Sequence, residues 1–215
     1  DCFQGQEKGG GHFTLERSKQ LMQKAKQAAA GVNTLQFTEE VDENIGYRNK
    51  LLKITDSQLL QNIQKVQQQN DIRESEVLEK PKVQKKGINL TIEMETGTGK
   101  TYTYIRTMYE LHEQYGWSKF IIIVPSVAIR EGVYKSFEVT QTHFQEKYGH
   151  KINPFIYNSS KPTDIENFAS DSRISVMIIN TQAFNARGKD ARRIYAEIDS
   201  FQSRRPIDII AQTNP

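Results

Sequence analysis

Apolar residues recur along this chain in two rhythms: the three-to-four-residue spacing of a helix face and the continuous β-branched run of a buried strand. Thr14 to Ala30 sets Leu15, Leu21, Met22, Ala25, Ala28 and Ala29 in a loose stripe, and Gly31 is placed to stop it, which predicts a helix. Arg17, Lys19, Lys24 and Lys26 decorate that helix, a pattern that suits a solvated face better than a nucleic-acid contact. Asp56 to Gln69 predicts a second helix, with Leu59, Leu60, Ile63 and Val66 on one side and Gln58, Gln61, Gln64 and Gln67 on the other. Residues 1–12 are Gly-rich and read as mobile, residues 32–53 as irregular, and Lys80 to Lys86 as a basic, Pro-containing connector.

At Gly87 the character changes. Ile88 to Glu93 reads as a strand and Lys100 to Tyr115 as a helix with Ile105, Met108, Leu111 and Tyr115 inward, ended by Gly116. Lys119 to Val124 (KFIIIV) reads as a strand buried on both faces. The two strands lie close enough in sequence to be joined by one βαβ crossover. Val127 to Tyr148 predicts a long helix with room for a break, and Ile152 to Tyr157 a weaker strand interrupted by Pro154. A short helix over Pro162 to Ala169, a buried strand over Ile174 to Ile179 and a helix over Lys189 to Phe201 complete the alternation. Strands alternating with helices predict an α/β fold with a mostly parallel sheet.

The 215 residues suffice for one substantial domain with an extension. The 29 basic and 26 acidic residues leave a net charge of +3, so overall charge does not announce a nucleic-acid binder. A single cysteine, Cys2, excludes an internal disulfide framework. No apolar run reaches the ~18 residues of a membrane span, and no secretory leader is visible. Together these features predict a cytoplasmic protein with no membrane partner. His12, His112, His143 and His150 lack metal-ligand spacing. The chain starts without Met and stops in mid-pattern at Asn214-Pro215, which predicts a fragment.

The densest chemistry is the run Thr96-Gly97-Thr98-Gly99-Lys100-Thr101, set between a strand-like and a helix-like segment. Gly97 and Gly99 permit a tight turn that aims backbone N–H groups inward, and the following helix adds the positive end of its dipole. Residues of this type at this spacing cradle the phosphates of ATP. Lys100 is placed to reach the β- and γ-phosphates, and the Thr101 hydroxyl to ligate Mg²⁺. The strict pattern wants Gly at the first position, where this chain has Met94.

Ligands of α/β sheets gather at the carboxyl ends of the strands. Here those ends carry Glu93, then Val124-Pro125-Ser126 followed by Arg130, then Asn180-Thr181-Gln182. Ser126 is equally suited to cap a helix, as is Thr181. Arg130 suits either a phosphate contact or a helix surface.

This layout resembles the first RecA-like domain of superfamily 2 helicases and translocases, in which the first Gly of the loop is often missing. The strings IEMETGTGKTYTYIRTMYEL, GWSKFIIIVPSVAIREGVYKSFE and VMIINTQAFN resemble more closely the Res subunit of type III restriction-modification enzymes. The resemblance covers about residues 45–215 and is strongest over 88–185. It implies a helical N-terminal extension with its connector over residues 1–86 and a first RecA-like ATPase domain over 87–215. It further implies a motor that uses ATP and Mg²⁺ on double-stranded DNA, a separate nuclease domain, and a Mod methyltransferase subunit as partner. Ser126, Arg130 and Thr181 would then touch the DNA backbone, and an upstream glutamine, with Gln58 and Gln61 as candidates, would read adenine.

The chain departs from the family pattern in what it lacks. It carries no Asp-Glu pair after Phe201, no second RecA-like domain and no nuclease constellation. The 215 residues alone are therefore expected to turn over ATP very poorly. Two other readings remain open on sequence: a superfamily 2 DNA or RNA helicase without nuclease, and a nucleotide-binding switch that does no work.

Overall fold

The computed structural model describes residues 1–15, 44–81, 87–161, 163–184, 194–197 and 204–215. They divide into two compact units. One comprises Asp1–Lys8 and Leu51–Lys100, the other Gly9–Lys50 and Thr101–Pro215.

In the first unit the main element is helix α1 (Asp56–Gln69), with the bounds its periodicity predicts. Thr55 and Gln58 form a capping box. The Thr55 hydroxyl accepts from Gln58 N at 3.3 Å, and Gln58 Oε1 accepts from Thr55 N at 3.0 Å. The chain start is tied alongside by side-chain amides: Asn62 donates to Cys2 O and Gln4 O, and Gln6 bonds to Leu51 O and Lys53 N. Gln64 and Gln67, on the Gln-rich face, hold Ser75, so two of those glutamines serve a turn.

Ile88 to Glu93 does not form the expected strand. A single antiparallel bridge, Glu79 to Asn89, is its only pairing among the described residues. Leu90 and Ile92 are exposed at 43% and 71%. The alternation of apolar and polar residues is there, but a strand exists only as part of a ladder, and among the described residues the single bridge is all that pairs this stretch. Among the described residues the expected crossover to Lys119–Val124 therefore has only one of its two strands.

The second unit opens with an antiparallel pair, β1 (Gly10–Thr14) and β2 (Ile45–Asn49), in register Gly10 to Asn49 through Thr14 to Ile45. Gly10–Thr14 had read as a mobile segment running into a helix, and Ile45–Asn49 as irregular; both are strands. Gly46 has no room for a side chain, because a Cβ there would collide with the Phe13 ring. The body of the helix expected over Thr14 to Ala30 lies outside the described residues, as does most of that expected over Lys189 to Phe201.

Helix α2 (Lys100–Tyr115) and strand β3 (Lys119–Val124) have their expected bounds. Gly116, at φ +72, ends the helix in the left-handed region that favours glycine. Helix α3 (Val127–Tyr148) runs unbroken, contrary to the break allowed for it, from the Ser126 cap to Gly149 at φ +73. Strand β4 (Asn153–Ile156), helix α4 (Thr163–Ser170), strand β5 (Ser175–Asn180), a 3₁₀ turn (Thr181–Phe184) and helix α5 (Pro206–Gln212) follow.

The sheet is parallel with order β3-β5-β4, which bears out the α/β class. Because β4 is an edge strand, it tolerates Pro154, which has no N–H to give a ladder. The central strand β5 is buried on both faces. Met177 and Ile179 join a cluster with Ile165 and Phe168 of α4 and with Ile209 and Ile210 of α5. Val176 and Ile178 join a cluster with Ile105, Met108 and Tyr109 of α2 and Val133, Phe137 and Phe144 of α3. The period of two along the strand thus makes a three-layer arrangement. Tyr109 stacks on Phe144 and on Tyr148 with ring centroids 5.0 and 4.9 Å apart, which locks α2 against α3.

Candidate nucleotide and nucleic-acid site

The loop from Met94 to Lys100 closes on itself. Lys100 Nζ donates to Met94 O at 2.6 Å and to Glu95 O at 2.8 Å. Thr98 Oγ1 donates to Glu95 O at 2.7 Å. Gly97 and Gly99 sit at φ +85 and +90, and nothing lies within 4 Å of a Cβ built on either. The loop's curvature is therefore a matter of backbone conformation, not crowding. Two of the three ammonium donors of Lys100 staple the loop, which leaves one N–H for an anion. Every residue from Glu95 to Lys100 is exposed, Thr96 among them.

The donor set suits a phosphate. Gly99 offers no side chain to cap α2, so the N–H groups of the first helical turn remain for a ligand. Met94 contributes a carbonyl to the lysine staple, a role that makes no use of its side chain and so admits a residue other than Gly. Thr101 is the second residue of α2, where no helical carbonyl lies four residues back to take its hydroxyl. Further along, Thr107 Oγ1 is taken by Thr103 O at 2.8 Å and Thr140 Oγ1 by Ser136 O at 2.7 Å. The Thr101 hydroxyl thus suits a hard cation, which takes oxygen ligands.

A second group of residues gathers at the carboxyl edge of the sheet. Val124 of β3 pairs with Asn180 of β5, so Ser126 and Thr181 follow the ends of neighbouring strands. Ser126 caps α3, its Oγ accepting from Ile129 N at 3.3 Å while its carbonyl accepts from Arg130 N. As an acceptor Ser126 is in use, yet its own O–H is a donor still to be placed. Arg130 lies along its neighbour Glu131, with Nη2 and Nε at 2.9 and 3.3 Å from one carboxylate oxygen. Thr181 is exposed at the start of the 3₁₀ turn, where Asn180 bonds to Gln182. Of the candidate adenine readers, Gln58 spends its side-chain oxygen on the α1 cap, and Gln61 is exposed on the same helix.

Two residues escaped the sequence reading. Asn49 bonds with its side-chain amide to Ser118 and Lys119 at the foot of β3, and nothing in its neighbourhood along the chain signals that role. Tyr104 buries a phenol one turn after Thr101, and that three-residue helical spacing was the available signal.

The family model described as "Type III restriction enzyme, res subunit" matches residues 52–203. The chain belongs to the type III Res family. The EcoP15I Res subunit of Escherichia coli is 29% identical over 223 aligned positions, covering 94% of this chain and 22% of the relative. The EcoPI Res subunit of Escherichia phage P1 is 30% identical over 195 positions, covering 81% of this chain and 20% of the relative. The StyLTI Res subunit of Salmonella typhimurium is 36% identical over 116 positions, covering 46% and 12%. The chain thus spans about a fifth of the length of the first two Res relatives. Among the described residues no helix is long and apolar enough to cross a membrane, and no group of His, Cys, Asp and Glu is placed to hold a metal ion.

Proposed function

We propose that this chain is the nucleotide-binding part of an ATP-dependent motor acting on duplex DNA within a type III restriction endonuclease. The observation that carries the reading is the stapled loop, with Lys100 on the carbonyls of Met94 and Glu95 and with Gly97 and Gly99 in left-handed conformations. Such a loop suits the phosphates of a nucleotide. Family membership supports the rest: double-stranded DNA as the track, a Mod subunit as partner, and a cytoplasmic setting.

In this reading residues 87–215 belong to the first RecA-like domain and residues 1–86 precede it. Bound Mg–ATP supplies the phosphoryl group and the divalent charge that steadies its transfer. The backbone from Thr96 through Thr98 to Gly99 cradles phosphate, Lys100 gives its remaining N–H to the β- and γ-oxygens, and Thr101 offers Oγ1 to Mg²⁺. Ser126, with the free N–H groups at the start of α3, and Thr181 on the neighbouring strand end contact one DNA backbone. Arg130 joins them by exchanging Glu131 for a phosphate.

The test is ATP hydrolysis by the full polypeptide together with its Mod partner, with and without duplex DNA bearing recognition sites. The reading requires strong stimulation by DNA and its loss in Lys100→Ala. Turnover indifferent to DNA would favour a nucleotide switch instead, and turnover unchanged in Lys100→Ala would remove the loop as the site.

A further inference from the structure

The hydroxyl of Tyr104 is fully buried yet has no hydrogen-bond partner among the described residues. Such a group costs stability in a folded protein and calls for a reason. The rest of the side chain packs with the α2–α3 cluster of Ile105, Met108, Val133 and Phe144, so the ring alone would serve as filling. Phenylalanine would fill that space without the cost.

Helical geometry says where the phenol points. Side chains of an α-helix tilt toward its N-terminus and cover the preceding turn, and residues three apart share a face. For Tyr104 the polar neighbour one turn back is Thr101. Burial raises the Tyr104 phenol above its ordinary range, and the Thr101 side chain, as a hydrogen-bonding neighbour, offsets part of the rise. The Thr101 hydroxyl is not tied to a backbone carbonyl among the described residues, unlike those of Thr107 and Thr140, which are held by carbonyls one turn back.

We propose that Tyr104 is a positioning residue for Thr101: its phenolic oxygen accepts the Thr101 O–H and so turns a lone pair of Oγ1 toward the metal. A threonine hydroxyl has one proton to give and two lone pairs. Sending the proton to Tyr104 fixes the rotamer and leaves Oγ1 as an acceptor facing the loop side of the helix start. A cation on Oγ1 makes that O–H a stronger donor, so the bond to Tyr104 tightens when the metal is bound. The phenolic oxygen thus gains a stronger donor when a cation sits on Oγ1. The inference rests on the reading of Thr101 as a Mg²⁺ ligand.

The experiment uses the full chain and the variants Tyr104→Phe, Thr101→Ala and the double change. Two readouts are taken: thermal unfolding without ligand, and the Mg²⁺ concentration for half-maximal ATP binding followed by a fluorescent ATP analogue. Tyr104→Phe is expected to raise the ligand-free melting temperature by about 2–4 °C, because it removes an unpaired buried hydroxyl. It is also expected to raise the Mg²⁺ requirement about fivefold, the loss of one neutral hydrogen bond. In the Thr101→Ala background the same change should leave the Mg²⁺ requirement unaltered. An undiminished effect there, or a Tyr104→Phe protein that melts lower and needs no extra Mg²⁺, overturns the proposal while leaving Thr101 in place. If Thr101→Ala itself does not alter the Mg²⁺ requirement, the metal-ligand reading fails and the proposal with it.

Discussion

The side chain of Asn49 pairs with the backbone of Lys119 as a neighbouring strand would. Asn49 Oδ1 accepts from Lys119 N at 3.0 Å and Asn49 Nδ2 donates to Lys119 O at 2.7 Å, while Oδ1 also takes Ser118 N at 2.8 Å. One amide thus saturates the outer edge of β3 where the strand begins. Replacing Asn49 with Leu strands three buried backbone groups, and each such group costs about 1–3 kcal/mol. Urea unfolding of Asn49→Leu should show a loss of about 3 kcal/mol or more with little change in slope. A loss under about 0.5 kcal/mol, the scale of an ordinary surface change, would contradict this role.

Lys119 itself is buried, with Nζ donating to Phe168 O at 2.6 Å and to Asp171 O, and standing 5.2 Å from the Phe168 ring centre. Burial pushes its pKa down to about 8, against a smaller upward pull from Asp171. The unfolded lysine keeps its ordinary pKa near 10.4. Between those values the unfolded chain holds a proton that the folded chain has released, so stability rises with pH from about 8 to about 10.5. The neutral amine still has two N–H groups for its two carbonyls. The rise should be of order 3 kcal/mol, read as the difference between the native chain and Lys119→Met across that pH range. A parallel pH profile in the two proteins would refute it.

Glu166 is buried on α4, and Arg204 Nη2 reaches its Oε1 at 2.5 Å. Taking away Arg204 removes one partner of that buried charge, and breaking a buried pair costs about 3–5 kcal/mol. Arg204→Met should therefore destabilise strongly, and adding Glu166→Leu should recover much of the loss. A double variant no better than the single one would mean that the pair is not coupled.

Gly97 and Gly99 have open space where a side chain would go, so alanine there is strained only through its backbone. Left-handed φ costs a non-glycine residue about 1 kcal/mol or more. Gly99→Ala should leave the fold intact by circular dichroism and weaken ATP binding by about tenfold, through an opened loop. Binding within twofold of the native chain would show that this curvature is not used.

Ser126→Ala removes the α3 cap and should cost about 1 kcal/mol of stability. If Ser126 also donates to a DNA phosphate, DNA-stimulated ATP turnover should fall as far in Ser126→Gly, which loses the hydroxyl but costs the cap only a few tenths of a kcal/mol. Comparable turnover in the two would tie the effect to the hydroxyl, whereas a deficit confined to Ser126→Ala would tie it to the cap.

Where an element carries its own start and stop, the sequence was enough to read it. Helix α1 begins at a Thr55–Gln58 box, α2 ends at Gly116, and both have the bounds their periodicity predicts. The KFIIIV strand was legible because a continuous β-branched run belongs in a parallel sheet, but among the described strands it lies at the sheet edge, and the burial expected on both faces fails at Ile123, which is exposed. What the sequence could not reveal is pairing. GGHFT is too rich in glycine to look like a strand, and becomes one because Ile45–Asn49 lies beside it and Gly46 leaves room for Phe13. Ile88–Glu93 has the better local pattern and, among the described residues, pairs only through the Glu79–Asn89 bridge. The turn over Thr96–Lys100 was legible from Gly97 and Gly99 because its residues are contiguous. The contribution of Asn49 to β3 was not, because it depends on residues about 70 positions away.

Strand β5, flanked on both sides and covered on both faces, is where the second unit is least open to water. Amide protons on such a strand exchange with solvent only when the whole cooperative unit opens. Val176 through Ile179 should thus be the last to take up deuterium, and β4 at the edge should exchange earlier. The stretch carrying Asn180, Thr181 and Gln182 is fastened directly to that slowest-exchanging segment. A load pulling on Thr181 would be borne by the most persistent part of the unit.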